Sequence, residues 1–405
     1  MDMREPDFVD ECYADKDLSQ LQKLTLVIPT YNRNYYLSRC LWYHAHFPFG
    51  EIIVADSSPE EKKVVNRETV AKIRSLFGAN IRYLEYEPET DKYGGDIYRK
   101  WGDAVQQVET EYSIICIDKS ILIPSAVLKS LIFLESHPEY IASRGREALL
   151  YERKYNPIGR YYFQKASNHP VIEGDNAAER MREVMELPSP WPCTQLFSLT
   201  RTEAHKKIHN LLIKYAVPDI RYGEIILGFF GYLYGKGKIS EEISSVRDIR
   251  NISVKSVSSR KNMAESSTTR YMPLTVQNKE IPEFFSLFKK CLLQELSTVQ
   301  NANGENTPDS CSFLQNLSAE SMTQFDSDTS KGAAFLHRYA GLYRLYTELI
   351  PLRLRKMIVL YFKESKTSIP LPPEPIVTKR DDELRIFLTL IQKFSDNEML
   401  DKPIV

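Results

Sequence analysis

Residues 24–56 constrain the fold of this chain more than any other stretch. Leu24 to Ile28 is a short apolar run rich in β-branched side chains, and Pro29 ends it, as a buried parallel strand would end. A polar turn follows, Thr30-Tyr31-Asn32-Arg33-Asn34, and then a segment with the apolar spacing of a helix. A second apolar strand, Glu51 to Ala55, stops on Asp56. Two strands joined through a helix must run parallel, because only a crossover of that length brings the chain back in the same direction. Sheets of this kind bind ligands outside the carboxyl ends of their strands. Thr30–Arg33 and Asp56–Ser57 fall at those ends, where a nucleotide would be held.

The pattern continues. Glu60 to Phe77 is an amphipathic helix stopped by Gly78, Ile81 to Tyr86 a short strand, and Pro88 to Asp96 a loop rich in Pro, Gly and charge. Ile97 to Val108 places Ile97, Trp101, Ala104, Val105 and Val108 on one helical face, and Tyr112 to Ile117 is the next buried strand. Pro124 opens a helix over Ser125 to Ser136. This alternation predicts an α/β fold with a mostly parallel sheet covered on both faces. From 141 to 200 the pattern loosens, with a helix at Ala177 to Met185 and an edge strand at Gln195 to Thr200. Helices follow at Thr202 to Tyr215 and Glu224 to Tyr234. The expected organisation is a polar lead over 1–20, an α/β domain over 21–250, a Ser-, Thr- and Arg-rich linker over 251–280, and a helical region over 281–405. Within that last region 300–331 is Asn-, Ser- and Asp-rich and is expected to be mobile.

Composition excludes several classes. A formal charge of −1 gives no whole-chain attraction to nucleic acid. The six cysteines are scattered, with no C-x-x-C pair, which suits a reducing compartment. The first residues are acidic and lack an apolar core, unlike a secretory signal. No apolar run approaches the ~18–20 residues of a spanning helix. A cytoplasmic protein is expected, at most peripheral to a membrane. Residues 339–362 mix Arg344, Arg353, Arg355 and Lys356 with apolar side chains. They read either as helices packed on the α/β domain or as a peripheral contact with the inner face of an anionic membrane.

The sequence V-I-P-T-Y-N-R, the helix after it and I-I-V-A-D-S-S together resemble the N-terminal half of the nucleotide-binding domain of glycosyltransferase family two. The resemblance covers roughly residues 22–250. It implies a GT-A-like fold with a helical C-terminal addition, a nucleotide-sugar donor, a glycan or lipid-linked acceptor, inversion, and a divalent Mn or Mg ion. It also implies that Asp56 contacts the base or ribose, and that Thr30, Tyr31 and Arg33 approach base and phosphate.

One departure matters. Where the family carries a metal-binding carboxylate pair (D-x-D), this chain has Asp118-Lys119-Ser120. Hard cations need several oxygen ligands. Three readings stay open: Asp118 holds a metal with water and donor oxygens, the Lys119 ammonium replaces the metal against the diphosphate, or the site binds without turnover. Lys100, at the start of a helix beside Arg99, is placed to meet a phosphate. Arg247 is the basic residue expected to return to the diphosphate. The family's catalytic base corresponds to Glu224 or to Asp219, ahead of the apolar run Ile225 to Tyr234. His169 is a lesser acceptor-site candidate. The competing function is a catalytically weak nucleotide-sugar-binding or scaffold protein of a glycan-assembly pathway. A sugar nucleotidyltransferase ranks last, since no glycine-rich phosphate loop opens the chain.

Overall fold

The computed structural model describes residue 13 and residues 17–88, 96–152, 161–165, 172–185, 197–214, 220–248 and 280–303. The α-helices are α1 (Asn34–His44), α2 (Glu60–Phe77), α3 (Asp96–Gln106), α4 (Pro124–Ser136), α5 (Ala177–Met185), α6 (Thr202–Lys214), α7 (Ile220–Tyr234) and α8 (Glu280–Ala302). The strands are β1 (Leu24–Thr30), β2 (Glu51–Asp56), β3 (Ile81–Glu85), β4 (Tyr112–Ile115), β5 (Ser120–Leu122), β6 (Tyr140–Glu152), β7 (Tyr161–Lys165), β8 (Leu199–Arg201) and β9 (Lys236–Asp248).

They form one mixed, mostly parallel sheet in the order β3-β2-β1-β4-β8-β6-β9-β5, with β7 paired to β6. β1, β2, β3 and β4 are parallel, as the strand–helix–strand alternation requires. β8 runs antiparallel between β4 and β6. It is therefore an interior strand, not the edge strand its sequence suggests.

Every residue of β1 is buried, because the sheet is covered on both faces. Leu24, Leu26, Ile28, Ile52 and Val54 point into one core with α1, α2 and α4. Val27, Ile53, Ala55 and Ile115 point into the other, with α3, α5, α6, α7 and Leu292 and Leu296 of α8. The strand continues through Pro29 to Thr30, in register with Ala55 and Asp56. Proline costs no ladder bond there, since β4 stops pairing at Val27. Gly78 ends α2 in the left-handed region, φ 64°, with its N–H on the Arg74 carbonyl at 2.9 Å.

Candidate functional site

The carboxyl ends of β1, β2 and β4 lie side by side, so Thr30, Asp56 and the turn after β4 meet at one edge. Thr30 Oγ1 donates to Asp118 Oδ2 at 2.8 Å. Arg33, on the turn beyond β1, donates to Asp118 Oδ1 at 3.1 Å. Asp118 is 1% exposed and Arg33 44%, so the guanidinium covers the carboxylate from the solvent side. Lys100 of α3 reaches the same place from below the sheet. Its ammonium donates to Ser57 Oγ at 2.7 Å and to the Thr30 carbonyl at 3.2 Å, and the residue is buried. It ties the β1 and β2 ends together.

Asp56 is closed in. Oδ1 accepts the Ser58 N–H at 2.7 Å, and Oδ2 accepts Asn66 Nδ2 at 2.6 Å and the Tyr83 hydroxyl at 2.5 Å. Burial and then the hydrogen bond to Asp56 push the Tyr83 phenol well above its ordinary pKa. The carboxylate thus holds the turn after β2 in shape. That turn in turn seats the first loop: Asn32, at φ 55°, donates its N–H to Ser58 Oγ at 2.8 Å. Tyr31 is half-buried on the loop. Beside these residues a cleft of about 330 Å³ is lined by Glu60, Lys63, Glu85, Tyr86, Glu87 and Pro88.

Lys119 stands next to Asp118 with its ammonium 4.7 Å from the centre of the Tyr36 ring. Burial first, and then the charge of Arg33, lower its pKa from the usual lysine value. Among the described residues no carboxylate lies within ion-pairing distance of it. Arg247 of β9 is in register with Ser120, but its guanidinium pairs with Glu147 at 2.9 Å and lies 5.0 Å from the centre of the Phe197 ring. Behind the turn, Cys40 and Cys116 both face the Ser120 carbonyl, at 3.5 and 3.4 Å. His44 donates from Nδ1 to the Cys40 carbonyl at 2.8 Å and accepts the Leu122 N–H at Nε2 at 3.2 Å.

The edge therefore brings together Thr30, Arg33, Asp56, Lys100, Asp118 and Lys119, with Arg247 one strand away and held by Glu147. Asp219 and His169 lie outside the described residues, as does the Glu224 side chain, although α7 includes Glu224 in its backbone. Residues 304–405, with the stretch 339–362, lie outside them too. As a metal site the edge offers two carboxylates, Asp56 and Asp118; both oxygens of each are engaged by protein donors, and Asp118 lies beside a guanidinium. Among the described residues no group of three His, Cys, Asp or Glu side chains is placed to hold a metal ion.

Sequence reasoning missed Arg39, Asp248 and Tyr36. The one signal for Arg39 is a charge within the buried side of α1, between Tyr36 and Tyr43.

This chain is similar in structure to S. aureus TarS. The likeness has a TM-score of 0.41 at 13% identity, over 75% of this chain and 55% of the TarS chain, so the chain spans little more than half of that protein. For TarS 1–349 in complex with UDP the TM-score is 0.41 at 13% identity, over 76% of this chain and 91% of that one. For TarS 1–349 in complex with UDP-GlcNAc it is 0.40 at 14%, over 75% and 78%. No family model matches the chain, and no curated protein matches it in sequence. Among the described residues no helix is long and apolar enough to cross a membrane.

Proposed function

We propose that this chain is a glycosyltransferase that moves a sugar from a nucleotide-sugar donor to a glycan or lipid-linked acceptor, with inversion. The observation that carries the reading is the meeting of Thr30, Arg33, Asp118 and Lys119 at the carboxyl edge of a parallel βαβ unit, the place where such sheets take nucleotides. The P-T-Y-N-R turn and the second-strand aspartate, on which the family resemblance rests, both sit at that edge.

In this reading the donor diphosphate lies over the Asp118-Lys119 turn. A carboxylate of the second half, Glu224 or Asp219, takes the proton of the acceptor hydroxyl. The hydroxyl oxygen attacks the anomeric carbon, the bond from that carbon to the phosphate oxygen breaks, and its electron pair leaves on the diphosphate. Lys119 and Arg33 balance the growing negative charge. An ammonium acts here as a point charge, and a guanidinium as a planar pair of donors. With both Asp118 oxygens engaged, these cations take the place that Mn or Mg fills in the resembling family.

Thermal melting with UDP, GDP, UDP-GlcNAc and other nucleotide sugars, with manganese or with EDTA, tests the donor site, because a ligand of the native state raises the melting temperature by mass action. Donor hydrolysis under the same conditions tests turnover. Activity that persists in EDTA is expected, and activity only with added manganese would return a metal to Asp118. Binding with no turnover across donors and acceptors would favour the scaffold reading, which the closed surroundings of Asp56 and Lys100 also support. A place in the cytoplasm, with peripheral membrane contact through 339–362, completes the proposal. Sedimentation with anionic liposomes that leaves the protein in the supernatant would remove that contact.

A further inference from the structure

One layer behind the Asp118–Ser120 turn lies a fully buried ion pair. Arg39 NH1 of α1 meets Asp248 Oδ2, the last residue of β9, at 2.7 Å, across 209 positions of sequence. Their side chains are 1% and 0% exposed. Burying two charges costs several kcal/mol per ion, and apolar replacements of such pairs are often as stable. Stability alone is therefore a poor reason for this pair to exist.

Its surroundings supply another. The Asp248 backbone N–H donates to the Lys119 carbonyl at 2.9 Å. The Arg39 guanidinium lies 5.3 Å from the centre of the Tyr36 ring, and the Lys119 ammonium lies 4.7 Å from the same centre. The pair thus reaches Lys119 by two routes, through the backbone of β9 and through the Tyr36 ring. It also locks the helix that follows the P-T-Y-N-R loop to the strand carrying Arg247.

We propose that Arg39 and Asp248 are positioning residues of the diphosphate site, fixing where the Lys119 ammonium stands. This rests on the donor-binding reading above. The pair touches no substrate. It acts through Tyr36 and the turn.

The test uses the full chain and calorimetric titration with whichever of UDP, GDP, ADP and CDP gives the wild type the largest thermal shift. Asp248→Asn removes the carboxylate charge that Arg39 NH1 meets and is expected to lower both the melting temperature and the affinity, the latter at least tenfold. Arg39→Met with Asp248→Asn removes both charges. It is expected to recover the melting temperature while the affinity stays at least tenfold down, because methionine cannot hold the Tyr36 ring as a planar guanidinium does. Recovery of both in the double variant, or wild-type affinity in either variant, overturns the inference and leaves the functional reading standing. A wild type that binds none of the four nucleotides overturns the two together. Should the double variant not fold, Lys119→Met placed in the Asp248→Asn background decides. Losses that fail to add support action through Lys119, and strictly additive losses overturn it.

Discussion

Asp118 gives both of its oxygens to the protein's own Thr30 and Arg33, while Lys119 beside it gives its ammonium to no carboxylate among the described residues. The two neighbours are therefore unequal: the acid organises the turn, and in the proposed reading the lysine is the group that meets the diphosphate. Lys119→Met is expected to weaken nucleoside diphosphate binding by about 1.5–3 kcal/mol, the worth of a hydrogen bond to a charged group. Its effect on the melting temperature should be small, and paired calorimetry and melting would show whether the two separate. Asp56 makes the opposite case. With Asn66, Tyr83 and the Ser58 N–H all on its carboxylate, it is a structural anchor of the β2 turn. Tyr83→Phe removes one donor from a buried acceptor and should cost about 1–3 kcal/mol in urea unfolding; an unchanged midpoint would deny the anchor. Residues such as Thr30, Arg33 and Asp118 were legible because strand ends can be read from local hydrophobic pattern. The partners of Asp56 and the Arg39–Asp248 pair were not, since they are set by which strands lie side by side.

At the scale of elements, the parallel half of the sheet follows its sequence closely. Runs such as Leu24–Ile28 and Ile52–Ala55 are apolar throughout because both faces are covered. β6 and β9 escaped notice for the converse reason. β9 is Lys-Gly-Lys-Ile-Ser-Glu-Glu-Ile-Ser-Ser-Val-Arg-Asp, mostly half-exposed, and its pairing with β6 shifts register around Arg144 and Arg146. Gly145 lies at that irregularity, where a Cβ would come within 2.2 Å of the Glu242 carbonyl oxygen. Only a residue without a side chain lets the strands approach so closely.

α6 holds a different tension. His205 is buried and hydrogen-bonded to Ser113 Oγ at 2.7 Å, while neither ring nitrogen of the buried His209 has a hydrogen-bond partner among the described residues. Burial lowers the pKa of His205 to about 4, and burial with the neighbouring His205 lowers that of His209 well below its ordinary value. The folded state thus binds fewer protons than the unfolded chain below the ordinary histidine pKa of about 6.5. Stability should be fully present above that pH and should fall as pH drops towards 4, by about 1.4 kcal/mol per pH unit for each histidine. His209→Leu should flatten the dependence by one proton, as urea midpoints between those limits would reveal; an unchanged slope would mean that His209 is already protonated or solvated.

The whole molecule raises the question of where the unit built on the sheet ends. The composition shift after residue 250 suggests a linker and then a separate helical region. Yet α8, from within that region, packs on α5 and α7. Leu292 and Leu296 of α8 are fully buried in the same core as Val27, Ile53 and Trp101, beneath the strands that carry the site. Sequence reading finds the helix from its amphipathic period, but period alone does not say which surface the apolar stripe covers. If the core is continuous, damage at α8 must be felt across the sheet. Leu296→Ala should cost about 2–5 kcal/mol, the usual range for emptying a packed leucine site. Trp101 lies in the core that α8 completes, whereas Trp42 packs against the core on the opposite face. Urea unfolding followed by far-ultraviolet circular dichroism and by tryptophan fluorescence should therefore move by the same amount in the variant, through one coincident transition. A fluorescence transition that stays at the wild-type midpoint while the helical signal melts earlier would show α8 to be an appendage, and would return the boundary to the place the composition marks.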